Sequence, residues 1–167
     1  MVIYNQHENI MASEAISSWS NTVQEFQFST EEFYDLLDAK IKERELPDVK
    51  TCTRNISQGG LFSKNRLYFE ARRKDYTFHI CAAPYGKDYF FSWYLRVKLH
   101  PIWELLSRIP IIGAFFDAKL TYKTYYQLDT ESMFKQSIHH VVTSTIDDIL
   151  EPKGKRLSEL DRRMNNA

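Results

Sequence analysis

The sequence predicts an α+β domain, an antiparallel β-meander of four to five strands with an N-terminal helix and a long C-terminal helix packed on one face. Three observations predict it. Between Leu67 and Val97, apolar residues recur at every second position in three successive stretches, the period of a half-buried strand. Before and after them, Phe33, Leu36, Leu37 and Ile41, and then Phe134, Ile138, Val141, Val142, Thr145 and Ile149, recur at helical spacing. The aromatic share is 14% (11 Phe, 10 Tyr, 3 Trp), which suits side chains packed on a pleated surface.

Taken in order, Ile16, Trp19, Val23 and Phe26 are spaced by three and four and predict a short helix in an N-terminal arm, 1–27. A single domain, 28–151, follows. Ser29 and Glu32 make a capping box, Phe28 can staple onto Phe33, and Pro47 stops that helix. Val49 to Ser57 reads as a strand of poor alternation, closed by Gly59-Gly60. Leu120 to Leu128, with Tyr122, Thr124 and Tyr126 alternating, predicts a further strand after the meander. Asp129 or Thr130 caps the long helix, and Pro152 ends it. The tail, 152–167, carries Lys153, Lys155, Arg156, Arg162 and Arg163 and reads as a solvated segment with one short helix.

The meander's register follows from its turns. A two-residue loop at Lys74-Asp75 sets Ala71 opposite Phe78, Phe69 opposite Ile80 and Leu67 opposite Ala82. A four-residue loop, Pro84 to Lys87, sets Ile80 opposite Phe91 and Phe78 opposite Trp93. Both choices keep the apolar residues on one face, which a one-residue slip would not. On the other face the same register lines up Glu70, His79 and Ser92 across three strands, the order of groups in an acid–histidine–serine relay. No GxSxG turn or oxyanion hole accompanies it. A ligand-binding face built from Tyr68, Arg72, His79, Tyr94 and Arg96 is the milder reading of these residues, and cross-strand hydrogen bonding the plainest.

No cofactor or metal is expected. His79 with Cys81 supplies two ligands where a zinc site needs more, and His139-His140 point to different faces of a helix. The five glycines form neither GxGxxG nor GxxxxGK[ST]. The most unusual segment is Pro101 to Phe116, with Trp103, Ile109, Ile111, Ile112, Phe115 and Phe116 as an interaction patch. Glu104, Arg108 and two prolines interrupt it, and a spanning helix needs roughly 20 mostly apolar residues. It reads either as core or as a surface meeting a membrane or a protein.

The string from Phe78 to Gly86 followed by Phe90-Phe91-Ser92-Trp93, and the string from Thr124 to Thr130 leading to Met133-Phe134, resemble an uncharacterised family of bacterial proteins. The resemblance covers roughly Arg66 to Leu150. It implies a bacterial origin and a more apolar, membrane-facing stretch between the two strings, and it implies no activity.

Lys plus Arg and Asp plus Glu each number 22, so the formal net charge is zero, which argues against a nucleic-acid partner. Two cysteines, Cys52 and Cys81, form no disulfide framework, and no basic-then-apolar leader is visible. The expectation is a cytoplasmic protein, peripheral at the membrane through its apolar segment. It would serve as a non-enzymatic interaction module for a protein partner or a membrane surface. The alternative is a small-molecule binder or hydrolase using the polar sheet face.

Overall fold

The computed structural model describes residues 13–56, 66–98 and 124–166. Its elements are β1 (Ser13–Val23), α1 (Thr30–Glu43), β2 (Lys50–Ile56), β3 (Arg66–Arg73), β4 (Tyr76–Tyr85), β5 (Asp88–Lys98), α2 (Tyr125–Leu150) and β6 (Asn165–Asn166). Among the described residues the strands form one antiparallel sheet in the order β2-β3-β4-β5-β1-β6. The α+β meander is therefore present, extended by β1 and by two residues of β6.

Alternation makes the core. Phe69, Phe78, Ile80, Phe91, Trp93 and Leu95 all point to one face of the sheet and are buried there. Phe33, Tyr34, Leu37 and Ile41 of α1 and Phe134, Ile138, Val142 and Ile146 of α2 close over them. Phe78 packs edge-on against Trp93 (5.1 Å) and Phe134 (5.3 Å), and Phe33 meets Phe91 at 5.1 Å. Lys40 of α1 pairs with Asp148 of α2 (2.5 Å), joining the two helices outside the core. Tyr34 brings a hydroxyl into the core. It accepts from the Ala82 N–H (3.1 Å) and donates toward the Leu67 carbonyl (2.9 Å), so its polar end is satisfied. The predicted Ser29 cap is present, with its hydroxyl accepting from the Glu32 N–H at 3.2 Å.

Four expectations are corrected. The stretch predicted as an N-terminal helix is strand β1. Its inward residues are Ser17, Trp19, Asn21 and Val23, two of them polar, so the strand carries no apolar alternation. The three-and-four spacing is a coincidence, because Ile16 lies at a register shift between Ala15 and Ser17 and Phe26 lies beyond the strand. Ser17, Ser18, Ser20, Asn21 and Thr22 are also weak helix formers. Within the arm, Ser13–Val23 thus belongs to the same sheet as the meander.

The β4–β5 turn has two residues, Gly86-Lys87, not four. Tyr85 pairs with Asp88, so Ile80 faces Trp93 and Phe78 faces Leu95. Gly86 sits at φ 65°, a backbone conformation open to glycine that makes the tighter turn accessible. The shift of two residues preserves faces and changes partners.

The strand predicted from Leu120 to Leu128 is helix from Tyr125 onward, while 120–123 lie outside the described residues. Thr124, not Asp129 or Thr130, is the cap. Its hydroxyl accepts from the Gln127 N–H (3.2 Å), and the Gln127 side chain accepts from the Thr124 N–H (2.9 Å). This capping box overrides a short alternation of aromatic residues.

The tail is exposed along most of 151–160, as expected, and yet docked. After a 3₁₀ turn at Glu151–Lys153 it returns over the sheet edge, burying Leu157 and placing β6 beside β1 at Ser17 and Ser18. The Trp19 indole N–H donates to the Asp161 carbonyl (2.6 Å), and the Asn21 amide donates to the Asp161 carboxylate (2.8 Å). Those two bonds explain how a strand with polar inward residues pairs at the sheet's edge.

Candidate functional site

The face opposite the helices carries Arg54, Glu70, Arg72, His79 and Arg96. One cross-strand row runs Cys52, Glu70, His79, Tyr94 and Ser18 through β2, β3, β4, β5 and β1. A flanking row runs Lys50, Arg72, Thr77, Arg96 and Ala15. On the other flank, Arg54 pairs with Tyr68, and Cys81 pairs with Ser92. Strand alternation alone places these side chains together.

Glu70 is the centre. It is 2% exposed, and a buried carboxylate needs charged or hydrogen-bonding neighbours. Its Oε1 lies 3.1 Å from Arg54 Nε and 3.4 Å from His79 Nδ1, and its Oε2 lies 3.9 Å from Arg72. The Cys52 thiol donates to Oε2 at 3.7 Å. Burial, followed by the Glu70 charge, pushes the Cys52 thiol up, and burial pushes Cys81 up. Both are therefore protonated, weakly nucleophilic thiols at neutral pH.

His79 behaves as a neutral imidazole. Burial, then the charges of Arg96, Arg54 and Arg72, hold its pKa down at about 4. Glu70 at 3.4 Å pulls the other way, yet the His79 Nδ1 makes no hydrogen bond to it. Burial together with the three guanidinium charges outweighs that pull.

The structure brings Glu70 and His79 together as the sequence implied, and it separates Ser92 from them. The shorter β4–β5 turn sets Tyr94 opposite His79 and moves Ser92 opposite Cys81. The acid–histidine–serine row expected from the longer turn is not formed. Tyr68, Arg72, His79, Tyr94 and Arg96 do share this face, with Tyr94 42% exposed and the Arg72 side chain 47% exposed. Sequence reasoning missed Arg54 and Cys52. The signal was present, since a strand over Lys50–Ile56 puts Cys52 and Arg54 on one side, but the weak alternation of β2 hid which side that was.

The patch formed by Trp103, Ile109, Ile111, Ile112, Phe115 and Phe116 lies outside the described residues. No helix among the described residues is long and apolar enough to cross a membrane, and no group of three or more His, Cys, Asp or Glu among them is placed to hold a metal ion. Comparisons with protein-family models, with curated proteins and with solved structures find no match to this chain.

Proposed function

We propose that this protein is a non-enzymatic interaction module whose contact surface includes the Arg72–Thr77–Arg96 end of the polar sheet face. The group it meets there is anionic, a phosphate of a membrane surface or a carboxylate of a protein partner. The observation that carries the reading is the placing of two arginines in one row of this face. Arg72 and Arg96 flank Thr77 across three strands, the Arg72 side chain is 47% exposed, and the exposed ring of Tyr94 lies on the same face. Guanidinium groups bind carboxylates and phosphates in a planar, two-point geometry, and a tyrosine adds contact area at little entropic cost. The apolar segment around Ile111 and Phe115 is proposed as a second contact of the same module, on its composition.

Co-sedimentation with vesicles of neutral lipid and of neutral plus anionic lipid, beside calorimetric titration of inorganic phosphate and of a poly-glutamate peptide, tests the proposal. Anionic vesicles or the acidic peptide should bind, and Arg72→Gln with Arg96→Gln should weaken that binding about tenfold or more, with Ile111→Asp weakening vesicle binding alone. Indifference to all the anionic probes, or binding untouched by the arginine substitutions in folded protein, would overturn it.

A further inference from the structure

β2 ends the sheet on one side, and its outer edge pairs with no strand among the described residues. Its seven residues, Lys50–Ile56, follow β3 in an unbroken register and contain no proline. A regular row of backbone donors and acceptors of this kind takes up a further strand readily, and folded proteins blunt it with a proline, a bulge or charge. Most of the charge at this edge comes from the neighbouring helix.

α1 runs beside β2. Tyr34 donates to the Leu67 carbonyl (2.9 Å), across from Asn55, and one turn later Asp38 accepts from the Thr51 hydroxyl (2.5 Å). The helix therefore follows the strand in the opposite direction. A cleft of about 250 Å³ lies between them, with Glu31, Asp35 and Asp38 on the helix side and Thr51 and Thr53 on the strand side. Asp38 is engaged by Lys42 (2.6 Å), and Glu31 accepts from the Ser29 hydroxyl (3.3 Å). Glu31 and Asp35 are exposed and have no ion pair among the described residues. One helical turn separates Glu31 from Asp35 by about 6 Å along the axis, and alternate side chains of a strand are about 6.7 Å apart. A strand laid on β2 thus brings every second side chain beside this acidic row, nearly in step with it.

We propose that the β2 edge takes up an extended segment of a protein partner as a further strand, with lysine or arginine at alternate positions facing Glu31 and Asp35. Main-chain hydrogen bonds to β2 supply affinity, and the alternate basic side chains supply selection. The same charge rejects a second copy of this chain. A two-fold axis at the β2 edge would set the acidic row of one copy against the identical row of the other, on the same side of the joined sheet, where like charges repel. The edge does not require the reading of the Arg72–Arg96 surface given above, and either can fail alone.

The test is calorimetric titration of the full chain with the blocked heptapeptide Lys-Thr-Lys-Thr-Lys-Thr-Lys and, as a control, with Glu-Thr-Glu-Thr-Glu-Thr-Glu. The basic peptide should bind saturably and the acidic one should not. Two versions of the basic peptide, N-methylated at the lysines or at the threonines, separate strand pairing from plain charge attraction, since only one alternate set of amides faces β2. One version should lose at least tenfold in affinity and the other keep it. Glu31→Gln with Asp35→Asn, both at exposed positions, should weaken binding at least tenfold in folded protein. No saturable binding, equal affinity of the two methylated peptides, or affinity unchanged in the double variant would overturn the proposal. So would a free protein that sediments as a dimer and is dispersed by the peptide, which would make the edge an interface between copies.

Discussion

The indole N–H of Trp93 donates to Nδ1 of His139 at 3.1 Å, and His139 Nε2 lies 2.7 Å from the Arg162 carbonyl. With Nδ1 accepting, the single ring proton sits on Nε2 and is donated to that carbonyl. The imidazole also meets the Trp19 and Trp93 rings edge-on at 5.6 and 5.7 Å. A neutral histidine on α2 thus joins the sheet to the returning tail.

Protonating His139 would set a second N–H against the indole N–H. Burial already holds its pKa below the usual histidine value, with the His140 and Arg162 charges adding to that and the bond to the Arg162 carbonyl opposing it. A folded pKa below the unfolded one means that this contribution is complete above about pH 6.5 and is lost as pH falls. Protection factors for amide hydrogen exchange across 155–164, taken relative to the intrinsic rate at each pH, should therefore be higher at pH 7.5 than at pH 5. The Ser158 hydroxyl holds the Asp161 carboxyl below the usual aspartate value, so its bond to Asn21 of β1 persists over that range and keeps the tail from leaving altogether.

His79 should titrate far below the ordinary histidine range. Its pKa of about 4 predicts that its imidazole NMR signals stay those of the neutral form down to about pH 5. The sign is the same as for His139: stability is lost between about pH 6.5 and pH 4, by up to about 3 kcal/mol for a shift of this size. In His79→Gln, denaturant unfolding measured across that window should show a correspondingly flatter pH dependence.

Removing the Glu70 carboxylate should cost more than removing any one of its neighbours. Glu70→Ala leaves Arg54 facing His79 and Arg72 without the anion between them, and loss of one member of a buried ionic group costs about 3–5 kcal/mol. Glu70→Gln keeps the shape and an acceptor and should cost less. Chemical denaturation of the two variants at pH 7 checks the order, and His79 should drop further in pKa in both.

Leu157 is 5% exposed in a segment whose composition suggests solvent. Leu157→Ala should destabilise the protein by about 2–3 kcal/mol, in line with buried leucines elsewhere. A change below about 0.5 kcal/mol in urea unfolding would show the tail to be ornamental to the fold.

The contrast between β4 and β1 shows what the sequence made legible. In β4, Phe78, Ile80 and Ala82 are buried by the helices, so hydrophobicity alone marks the inward face. In β1 the inward residues Ser17 and Asn21 lie where the returning tail arrives, and Asn21 is served by Asp161, 140 residues away, which no local pattern can announce. The pairing of Glu70 with His79 was readable because the Lys74-Asp75 turn was assigned with the right length. Ser92 falls opposite Cys81 because Pro84 and Tyr85, which the four-residue loop had included, are accommodated within β4 itself. The tail's charges concealed its apolar contacts, since Leu157 and Met164 are only two among many polar residues.

The position of β1 has a kinetic consequence. Strands β3, β4 and β5 are joined by tight turns and can pair as soon as they exist, whereas β1 must wait for β5 on one side and for residues near the chain's end on the other. Trp19 and its partner Asp161 are separated by 142 residues. Closing so long a loop is slow, and ordering proceeds outward from the local contacts. During synthesis, β1 leaves the ribosome before β5 and β6 and completes the sheet after them, so the earliest of the described strands is the last of them to be protected from pairing elsewhere.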